Sequence, residues 1–498
     1  MKGLSRREFL SKTTKTALGL GIASQLGFQI GCHNGTTGPS EAAWRQLANS
    51  LQGMLLRPGD ALYDQIALPR NLAFAGILPR GIVFVAGPAD VQTSVRFARE
   101  HGLPAVARSG NHSYAGYSLT TGLLIDLSNM SSIDIDTSGG IVDVAAGALL
   151  GAVADATAPF NLLMPSGRCS SVGIAGLLLG GGFGFNGRKF GLTCDNLVQT
   201  QIVTADGELL NCNETENSDL FWACRGGGGG NFGINVAFQV QTHPVSTASV
   251  YELVWDVEDA HAAWAAMQEI GLTTSNDFSM RLGMIIQEDG PLPGSRNQSL
   301  QVIGQLFGGS AEELREILDP AFVAAEPSSS LIEELSFADA TLFLEEFDSP
   351  DAFLSKSAYL IGPLPEEAIA IMLEHFFLWP ADSREAEFKI FSWGGAYNQT
   401  SPEATAFVHR SADYIIESDA SWHTEDPVSV SDASKEWIQE LFVKLQPFFT
   451  GSAYQNFIDP TLIDWQSAYY GANFPRLIEV KNTYDPDDFF NFAQSIPV

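Results

Sequence analysis

Residues 108–118 read RSGNHSYAGYS, a glycine- and serine-rich turn that carries a single histidine, His112. A turn of this composition needs no imidazole, so the simplest interpretation is that His112 caps the turn through a hydrogen bond to the backbone. The alternative is that the imidazole binds or reacts with a ligand. The stretch alone favours the cap, and the choice depends on the rest of the chain.

The composition is that of a globular protein with a strong negative charge. The chain has 498 residues, 45% of them hydrophobic, which is enough for two or three domains with a large core. It contains no apolar run of the ~18 residues that a membrane span requires. The formal net charge of −31 excludes a nucleic-acid partner, because phosphate binding depends on clustered lysine and arginine.

The first 31 residues combine a basic start with a weakly apolar stretch. Residues 5–10, SRREFL, resemble the bacterial twin-arginine export signal, so residues 1–31 are interpreted as a signal peptide. The expected location is the periplasm or the cell exterior. Lipid attachment at Cys32 is an alternative, although the preceding residues match the usual lipoprotein pattern poorly. The spacing of the other four cysteines is not that of zinc ligands, so no metal site is expected.

From about residue 45 the chain alternates strand-like and helix-like segments, which is typical of an α/β unit. The segment PADVQTSVRFAREHG at 88–102 predicts a helix that follows a strand and ends at Gly102. Asp90 is expected to be its N-cap residue. The apolar face of this helix is expected to contain Val91, Val95 and Phe97.

Glycine is dense between residues 140 and 245, as in GIAGLLLGGGFGFNG at 173–187 and RGGGGGNFG at 225–233. Such clustering indicates that backbone approaches something closely or adopts positive φ. After residue 245 the glycines thin out and tryptophan, glutamate and phenylalanine increase, so a domain boundary is predicted there. The last 50 residues are aromatic and turn-rich and are expected to be packed.

Residues 182–187, GFGFNG, spell the G-x-G-x-x-G pattern of nicotinamide-binding Rossmann folds. That pattern requires a strand at the start of a βαβ unit and an acidic residue ~20 positions later, whereas this one lies deep in its domain. A nicotinamide site is therefore not expected. The alternative is that backbone N–H groups of the glycine-rich turns cradle the diphosphate of another dinucleotide.

Several motifs occur together and in one order along the chain. They are RSGNHSYAGYS, CSSVGIAG at 169–176, RKFGLTCDN at 188–196, DLFWACRGGGGGNFG at 219–233, and YYGANFPRLIEVKNTYDP at 469–486 with FNFAQSIP at 490–497. This ordered set resembles the berberine-bridge-enzyme-like flavoprotein oxidases. The resemblance covers roughly residues 50–245 and 450–498.

The resemblance implies an α+β fold that consists of a two-part FAD-binding domain of the PCMH type and a substrate domain with an antiparallel sheet covered by helices. The FAD-binding domain would comprise residues 45–245 and be completed by the C-terminal segment 451–498. The substrate-binding domain would comprise residues 246–450. Both ends of the mature chain would then build one domain.

The resemblance also implies that FAD is attached twice, through His112 to its 8α-methyl group and through Cys169 to C6. The flavin is electrophilic at both positions, so a neutral imidazole and a thiolate can add to them. A buried cysteine that serves only as a small hydrophobe is the alternative for Cys169. Asn111 replaces the usual glycine before the histidine, and asparagine tolerates left-handed backbone better than other non-glycine residues. Further FAD contacts are implied at Arg108, Ser109, Gly110, Asn111, Ser113, Tyr114, Val172, Gly173, Gly176, Gly182, Asp195, Asn196, Gly233, Ile234, Tyr470 and Asn473.

Two residues are candidates for the group that takes a proton from the substrate. Tyr454 matches the family's Tyr-x-Asn signature, but its ordinary pKa of ~10 must be lowered by a charge or a strong hydrogen bond. Glu417 lies in a strand-like segment where members of the family place a glutamine or an acid over the substrate, and Tyr414 should face the other way. The structural alternatives are a packed Tyr454 and a solvated Glu417.

The predicted activity is removal of a hydride from a C–H next to a hydroxyl, in a sugar, an oligosaccharide or a polycyclic alcohol, with O2 reduced to H2O2. In the family that the motifs resemble, oxygen-reactive members tend to have a small valine at the place of Val172 and dehydrogenases a larger residue, so the resemblance implies an oxidase. A dehydrogenase that uses a quinone or a protein acceptor fits the same motifs, as does a non-catalytic binding protein that kept the fold. The aromatic residues Trp393, Tyr397 and Trp422 form either a sugar-stacking wall or part of the core.

Overall fold

The computed structural model describes residues 38–287, 297–346, 350–380 and 383–498. The predicted signal peptide and Cys32 lie outside the described residues. No helix in these four ranges is long and apolar enough to cross a membrane.

The first sheet has four strands in the order β1-β2-β4-β3, in which β2, β4 and β3 are parallel and β1 is antiparallel to β2. Helix α3 connects two parallel strands, as the alternation in the sequence predicts. The helix buries Val91, Val95 and Phe97 against the sheet. The bounds are α1 Glu41–Ser50, β1 Met54–Leu56, α2 Tyr63–Ala67, β2 Gly81–Phe84, α3 Pro88–Glu100, β3 Ala105–Arg108 and β4 Leu123–Asp126.

Asp90 is not the N-cap residue of α3, contrary to the sequence-based expectation. The N-cap is Gly87, and Asp90 lies inside the first turn. Its buried carboxylate accepts hydrogen bonds from the backbone N–H groups of Gln52, Gly53 and Ala86, each at 2.9 Å. An acid near a helix N-terminus is favoured at either position, so the sequence pattern alone does not separate the two.

The second sheet has five antiparallel strands in the order β5-β6-β10-β8-β9. Alternate residues of β6 and β10 are buried, as expected for strands with one face on the core. The bounds are β5 Ile133–Asp136, β6 Ile141–Ala145, α4 Leu150–Thr157, β7 Leu162–Leu163, α5 Ile174–Leu179, α6 Gly187–Phe190, β8 Leu197–Val203, β9 Leu209–Cys212, α7 Ser218–Ala223, β10 Ile234–Gln241 and β11 His243–Pro244, which pairs with β7.

The third sheet has seven antiparallel strands in the order β15-β12-β14-β13-β17-β18-β16. Helices cover one face with a continuous apolar core, whereas the other face carries apolar clusters and, between β17 and β18, the charged residues Lys389, Glu417 and Asp419. The bounds are β12 Thr247–Asp256, α8 Ala260–Thr273, β13 Phe278–Gln287, β14 Asn297–Phe307, α9 Ala311–Ala324, β15 Ser329–Ser336, α10 Phe337–Phe343, β16 Ala352–Leu360, α11 Glu366–Phe376, β17 Ala386–Ser392, β18 Tyr414–Trp422 and α12 Val428–Leu445.

The C-terminal segment returns to the core of the first two sheets. Its helices are α13, Trp465–Tyr470, and α14, Phe474–Tyr484. Leu477 and Val480 of α14, together with Ile496, are buried in the core that the first two sheets share. The fold is thus the expected α+β arrangement, with an antiparallel sheet under helices. By its contacts Gly38–Val498 is one compact unit, so the domain bounds at 245 and 450 stay predictions.

Candidate active site

Loops from distant parts of the chain surround a cavity of about 270 Å³. The loops around His112, Cys169, Gly229 and Asn456 line it, together with Phe492 near the C-terminus. Glycine-rich turns therefore meet the histidine and cysteine motifs at one place. The residues that line the cavity range from Ala105 to Gln494 along the chain.

The histidine loop and the cysteine loop touch backbone to backbone at Gly110 and Gly173. A Cβ on Gly110 would lie 2.1 Å from the Gly173 nitrogen, and a Cβ on Gly173 would lie 2.2 Å from the Gly110 nitrogen. No real Cβ tolerates such distances, so both positions require glycine. The Ser109 hydroxyl holds the first loop by donating to the Ala146 carbonyl at 2.6 Å.

Asn111 adopts the left-handed backbone conformation that glycine adopts most readily. Its φ is +62°, in the left-handed region, as the sequence argument requires. Its side-chain amide donates to the Leu68 carbonyl at 2.8 Å, and its own carbonyl accepts from the Arg70 N–H at 3.3 Å. The neighbouring His112 lines the cavity.

His112 and Cys169 differ in how readily they can react as nucleophiles, because their pKa values are shifted in opposite directions. Burial, assisted by Arg70, lowers the pKa of His112 to about 4, so its imidazole is neutral at physiological pH. The imidazole Nε2 lies 3.0 Å from the Ser171 hydroxyl. Burial and the carboxylate of Glu346 raise the pKa of Cys169 to about 12, and its sulfur donates to Glu346 Oε2 at 3.8 Å. The imidazole is thus ready as a nucleophile, whereas the thiol must first lose a proton.

The cavity fits a dinucleotide whose phosphates are held by backbone. A Cβ added to Gly176 would meet nothing within 4 Å, and at Gly229 the nearest atom would be 3.8 Å away. These glycines therefore border open space that side chains would fill. Arg168 is the one lysine or arginine among the described residues that line the cavity, so the cradle is largely uncharged, as for a backbone nest.

Most predicted site residues come together at this cavity. Six others, Arg108, Gly182, Asp195, Asn196, Glu417 and Asn473, lie behind its walls. The lining residues among those predicted are Ser109, Gly110, Asn111, His112, Ser113, Tyr114, Cys169, Val172, Gly173, Gly176, Gly233, Ile234, Tyr454 and Tyr470.

Arg108 and Asp195 are used in buried ion pairs outside the cavity. The Arg108 guanidinium binds Asp126 at 2.7 Å, and both side chains are buried. Arg410 binds both oxygens of Asp195, at 2.7 and 2.6 Å, from a loop more than 200 residues away. These charges are satisfied by protein, so Arg108 and Asp195 support the fold of the loops without lining the cavity.

Asn196, Asn473 and Gly182 also lie outside the cavity. The Asn196 amide donates to the carbonyls of the preceding turn, and the Asn473 amide donates to the Pro402 carbonyl at 2.7 Å. The Gly182 N–H donates to the Tyr454 hydroxyl at 2.9 Å. Gly182 thus positions a predicted catalytic residue, and the two asparagines hold loops together.

Tyr454 lines the cavity, and no charged side chain of the described residues is hydrogen-bonded to its hydroxyl. Its hydroxyl accepts from Gly182 N–H and from the Asn456 amide at 3.0 Å. Burial nevertheless raises the pKa of Tyr454 well above its ordinary value, and these two donors lower it less. Phe407 and Phe457 pack against its ring, which leaves an apolar environment.

Glu417 is buried, not solvated. Its Oε1 accepts from the Tyr114 hydroxyl at 3.0 Å, and its Oε2 lies 2.7 Å from Arg168 Nη2 and 3.3 Å from Lys389 Nζ. Glu417 therefore stands directly behind two side chains that line the cavity. Tyr414 faces the opposite side of β18, as predicted, where its hydroxyl donates to the Gln268 carbonyl.

Sequence reasoning missed the charged residues that surround Glu417. Arg168 binds Glu346 at 2.5 Å in addition to Glu417, and its guanidinium lies 4.4 Å from the centre of the Phe391 ring. Lys389 lies on β17, next to β18. A signal was present: charged residues alternate with apolar ones in AEFKIFS and YIIESDASW, which is unusual for strands this apolar.

The three aromatic residues proposed as a sugar-stacking wall belong to the core. Trp393 and Tyr397 are buried, and their rings stack at 4.1 Å. Trp422 is 7% exposed and lies at the end of β18. Among the described residues there is also no group of three histidine, cysteine or acidic side chains placed to hold a metal ion.

Comparison with known proteins agrees with this geometry. Residues 79–213 match the family model described as an FAD binding domain, and residues 453–497 match the model described as berberine and berberine like. An uncharacterised FAD-linked oxidoreductase of Bacillus subtilis is 33% identical over 460 residues, which cover 90% of this chain and 97% of that protein.

Two solved structures extend the similarity to the whole fold. The BBE-like 1 protein of Physcomitrella patens has a TM-score of 0.81 at 28% identity and covers 91% of this chain and 99% of its own. A chitooligosaccharide oxidase has a TM-score of 0.79 at 25% identity and covers 92% and 99%, respectively. The chain belongs to the berberine-bridge-enzyme-like family and is an FAD-linked oxidoreductase.

Proposed function

We propose that this protein is an FAD-dependent oxidase that removes a hydride from a C–H next to a hydroxyl and reduces O2 to H2O2. The observation that carries the proposal is the buried Glu417 carboxylate, which is bonded to a tyrosine hydroxyl at the wall of the cofactor cavity. The chitooligosaccharide oxidase shares the fold, which favours a sugar or an oligosaccharide as substrate; a polycyclic alcohol is the alternative.

Two bonds would hold the FAD, one from His112 and one from Cys169. Both side chains line the cavity, and the loops that carry them touch at Gly110 and Gly173. The neutral imidazole supports the first bond. The high pKa of the Cys169 thiol means that its proton must leave as the S–C6 bond replaces the C6–H bond. The bond from His112 likewise replaces a C–H bond of the 8α-methyl group, and the two electrons that each substitution leaves on the flavin would pass to O2. When bound, the flavin accepts the hydride.

The proton of the substrate hydroxyl would leave through Tyr114 to Glu417. Burial and the negative charge of Glu417 both raise the pKa of Tyr114 well above its ordinary value. This tyrosine therefore holds its proton and is not a base by itself. It can pass a proton on, because its hydroxyl already donates to Glu417 at 3.0 Å. Phe457, stacked on its ring at 5.5 Å, and Phe353 fix its direction. Relays of this type contribute when the partners are held within hydrogen-bond distance.

Tyr454 is the second candidate base. It lines the same cavity, but its hydroxyl accepts two hydrogen bonds and faces aromatic rings, with no carboxylate bonded to it. A tyrosine whose pKa is raised by burial keeps its own proton at neutral pH and therefore cannot accept one from the substrate. The geometry therefore favours Glu417 with Tyr114, and Tyr454 is assigned to packing and orientation.

The base assignment is tested by anaerobic flavin reduction with cellobiose, chitobiose and a polycyclic secondary alcohol. Glu417→Gln should slow reduction by the best of these about 10²- to 10⁴-fold, the usual contribution of a general base. Tyr454→Phe is the matched control, since it removes a buried hydroxyl from the same cavity, and should retain most of the rate. A normal rate in Glu417→Gln with loss in Tyr454→Phe would reverse the assignment.

The choice of oxidase is tested by mixing the reduced protein with air-saturated buffer. Val172 lines the cavity, so a larger side chain at this position would take up part of the cavity. We expect fast reoxidation with one H2O2 per turnover, and slower reoxidation in Val172→Leu with unchanged flavin reduction. Slow reoxidation of the unmodified protein would instead indicate a dehydrogenase with a quinone or protein acceptor. A purified protein without flavin would indicate a non-catalytic binding protein.

We also propose export, on the basis of SRREFL at residues 5–10 alone. Replacement of Arg6 and Arg7 by lysine should retain the precursor in the cytoplasm, measured by cell fractionation and immunoblotting. Periplasmic accumulation of that variant would refute export by the twin-arginine route.

A further inference from the structure

Three carboxylates share the buried ammonium of Lys389 on the face of the seven-stranded sheet that the helices do not cover. Lys389 is 5% exposed, and its Nζ contacts Glu387 and lies 3.3 Å from both Glu417 and Asp419. The register of β17 and β18 creates this cluster, because Lys389 pairs with Glu417 and Glu387 pairs with Asp419. Side chains of directly opposed residues on one face are neighbours.

Two further cations approach this cluster from neighbouring elements. Arg168 approaches from the cysteine loop and Arg281 from β13, and both bind Glu346. Ser355 of β16 lies opposite Asp419 in the register. The titratable and charged groups that act on Asp419 and its partners are Tyr114, Arg168, Cys169, Arg281, Glu346, Glu387, Lys389 and Glu417.

The charges of the cluster do not balance if every acid is ionised. Three cations, Arg168, Arg281 and Lys389, face four acids, and the other two titratable members, Tyr114 and Cys169, are neutral. Like charges that share a buried site cannot all ionise, so one acid retains a proton into the neutral range. The strongest candidate is Asp419: its cation is the shared Lys389 at 3.3 Å, and burial together with the charge of Glu417 raises the pKa of Asp419 to about 7, which a hydrogen bond from Ser355 opposes.

We propose that Asp419 is a positioning residue that competes with Glu417 for the Lys389 ammonium, so that the ionisation of Asp419 changes the rate of substrate oxidation. The inference rests on the proposed role of Glu417 as proton acceptor. When Asp419 is ionised, Lys389 is shared among three anions and neutralises the charge of Glu417 less. When Asp419 is protonated, the ammonium neutralises Glu417 more fully, and Glu417 attracts the substrate proton less. Coupling of this kind is reciprocal between the two acids.

The predicted signature is a partial step in the pH profile of anaerobic flavin reduction. With the fastest substrate of the panel above, the rate should fall about three- to tenfold as the pH drops through the neutral range and Asp419 takes up its proton. Asp419→Asn imitates the protonated acid, so it should show the lower rate on both sides of neutrality and no step. If Asp419 only stabilised the fold, Asp419→Asn would not selectively remove the step from the pH profile of flavin reduction.

Asp413→Asn is the matched control, because Asp413 precedes β18 and accepts a hydrogen bond from the Gly362 N–H, away from Lys389. This control should retain the step. A step that persists in Asp419→Asn overturns the proposal.

Difference infrared titration gives a readout that needs no substrate. The oxidised holoenzyme should show a protonated-carboxyl band that disappears as the pH rises through neutrality. The band should be absent in Asp419→Asn and move to lower pH in Glu417→Gln. A holoenzyme without a carboxyl that titrates in this range overturns the proposal whatever the kinetics show. Failure of the proposed base would instead appear as a normal rate of flavin reduction in Glu417→Gln.

Discussion

Lys481 of α14 anchors the glycine-rich loop to the C-terminal segment, and its removal should destabilise the protein strongly. The side chain is fully buried, and its ammonium donates to the Asn231 carbonyl at 2.9 Å, to Asp485 at 2.7 Å and to the Phe490 carbonyl at 2.6 Å. Asn231 in turn accepts from the Ile496 N–H at 2.9 Å. One side chain thus joins a cavity loop to the last residues of the chain.

The magnitude follows from what Lys481→Met leaves behind. Asp485 is also fully buried and would lose its cation, although the N–H groups of Phe489 and Phe490 still bind it at 2.8 Å. Removal of one partner of a buried ion pair costs about 3–5 kcal/mol, mostly from the charge that remains. In the double variant Lys481→Met/Asp485→Asn that charge is absent, so part of the loss should be recovered.

The assay is urea-induced unfolding followed by flavin and tryptophan fluorescence. The matched control is Lys435→Met, since Lys435 and Asp432 form a similar helical pair at 3.3 Å whose side chains are 45% and 65% exposed. Such an exposed pair contributes about 0–1 kcal/mol. If Lys481→Met cost no more than Lys435→Met, or if the double variant were less stable than Lys481→Met, the reasoning on the buried charge would be refuted.

Three further predictions concern the site and its surroundings. Gly110→Ala should lose bound flavin, seen as lower absorbance per protein, because its Cβ would lie 2.1 Å from the Gly173 nitrogen; Gly76→Ala, which meets nothing within 4 Å, should not. Asn111→Gly should keep the same covalent flavin by peptide mass, since φ of +62° suits both residues; loss of attachment would show that the Asn111 amide is required. Burial lowers the pKa of His409 to about 3, so only the unfolded chain binds its proton, and the free energy of unfolding should fall by about 1.4 kcal/mol per pH unit from pH ~6.5 down to that value. His409→Gln should show a shallower slope in urea unfolding, and an equal slope would contradict the assignment.

Local conformation was predictable wherever a residue type restricts the backbone. The left-handed Asn111 and the opposite orientations of Tyr414 and Glu417 follow from steric limits and strand periodicity. Asp90 shows where this reasoning fails, because an acid is favourable at several positions of a first helical turn and only the approach of Gln52 and Gly53 decides its role.

Contacts between distant residues could not be predicted from the motifs. Asp195 belongs to a family motif, yet its partner Arg410 lies 215 positions away and keeps it out of the cavity. Arg168 stands beside Cys169 in the sequence, but its bond to Glu417 depends on how the third sheet meets the cysteine loop. A motif identifies the residues that recur near a cofactor. Only the folded structure shows which of them line the cavity and which support its walls.

The central claim, that FAD is attached at both His112 and Cys169, is tested most directly by mass analysis of flavin peptides from the denatured, digested protein. The account predicts one FAD that joins the peptide of His112 to the peptide of Cys169, with single attachment in His112→Ala and in Cys169→Ala. Release of all flavin into the supernatant on denaturation of the unmodified protein would contradict it.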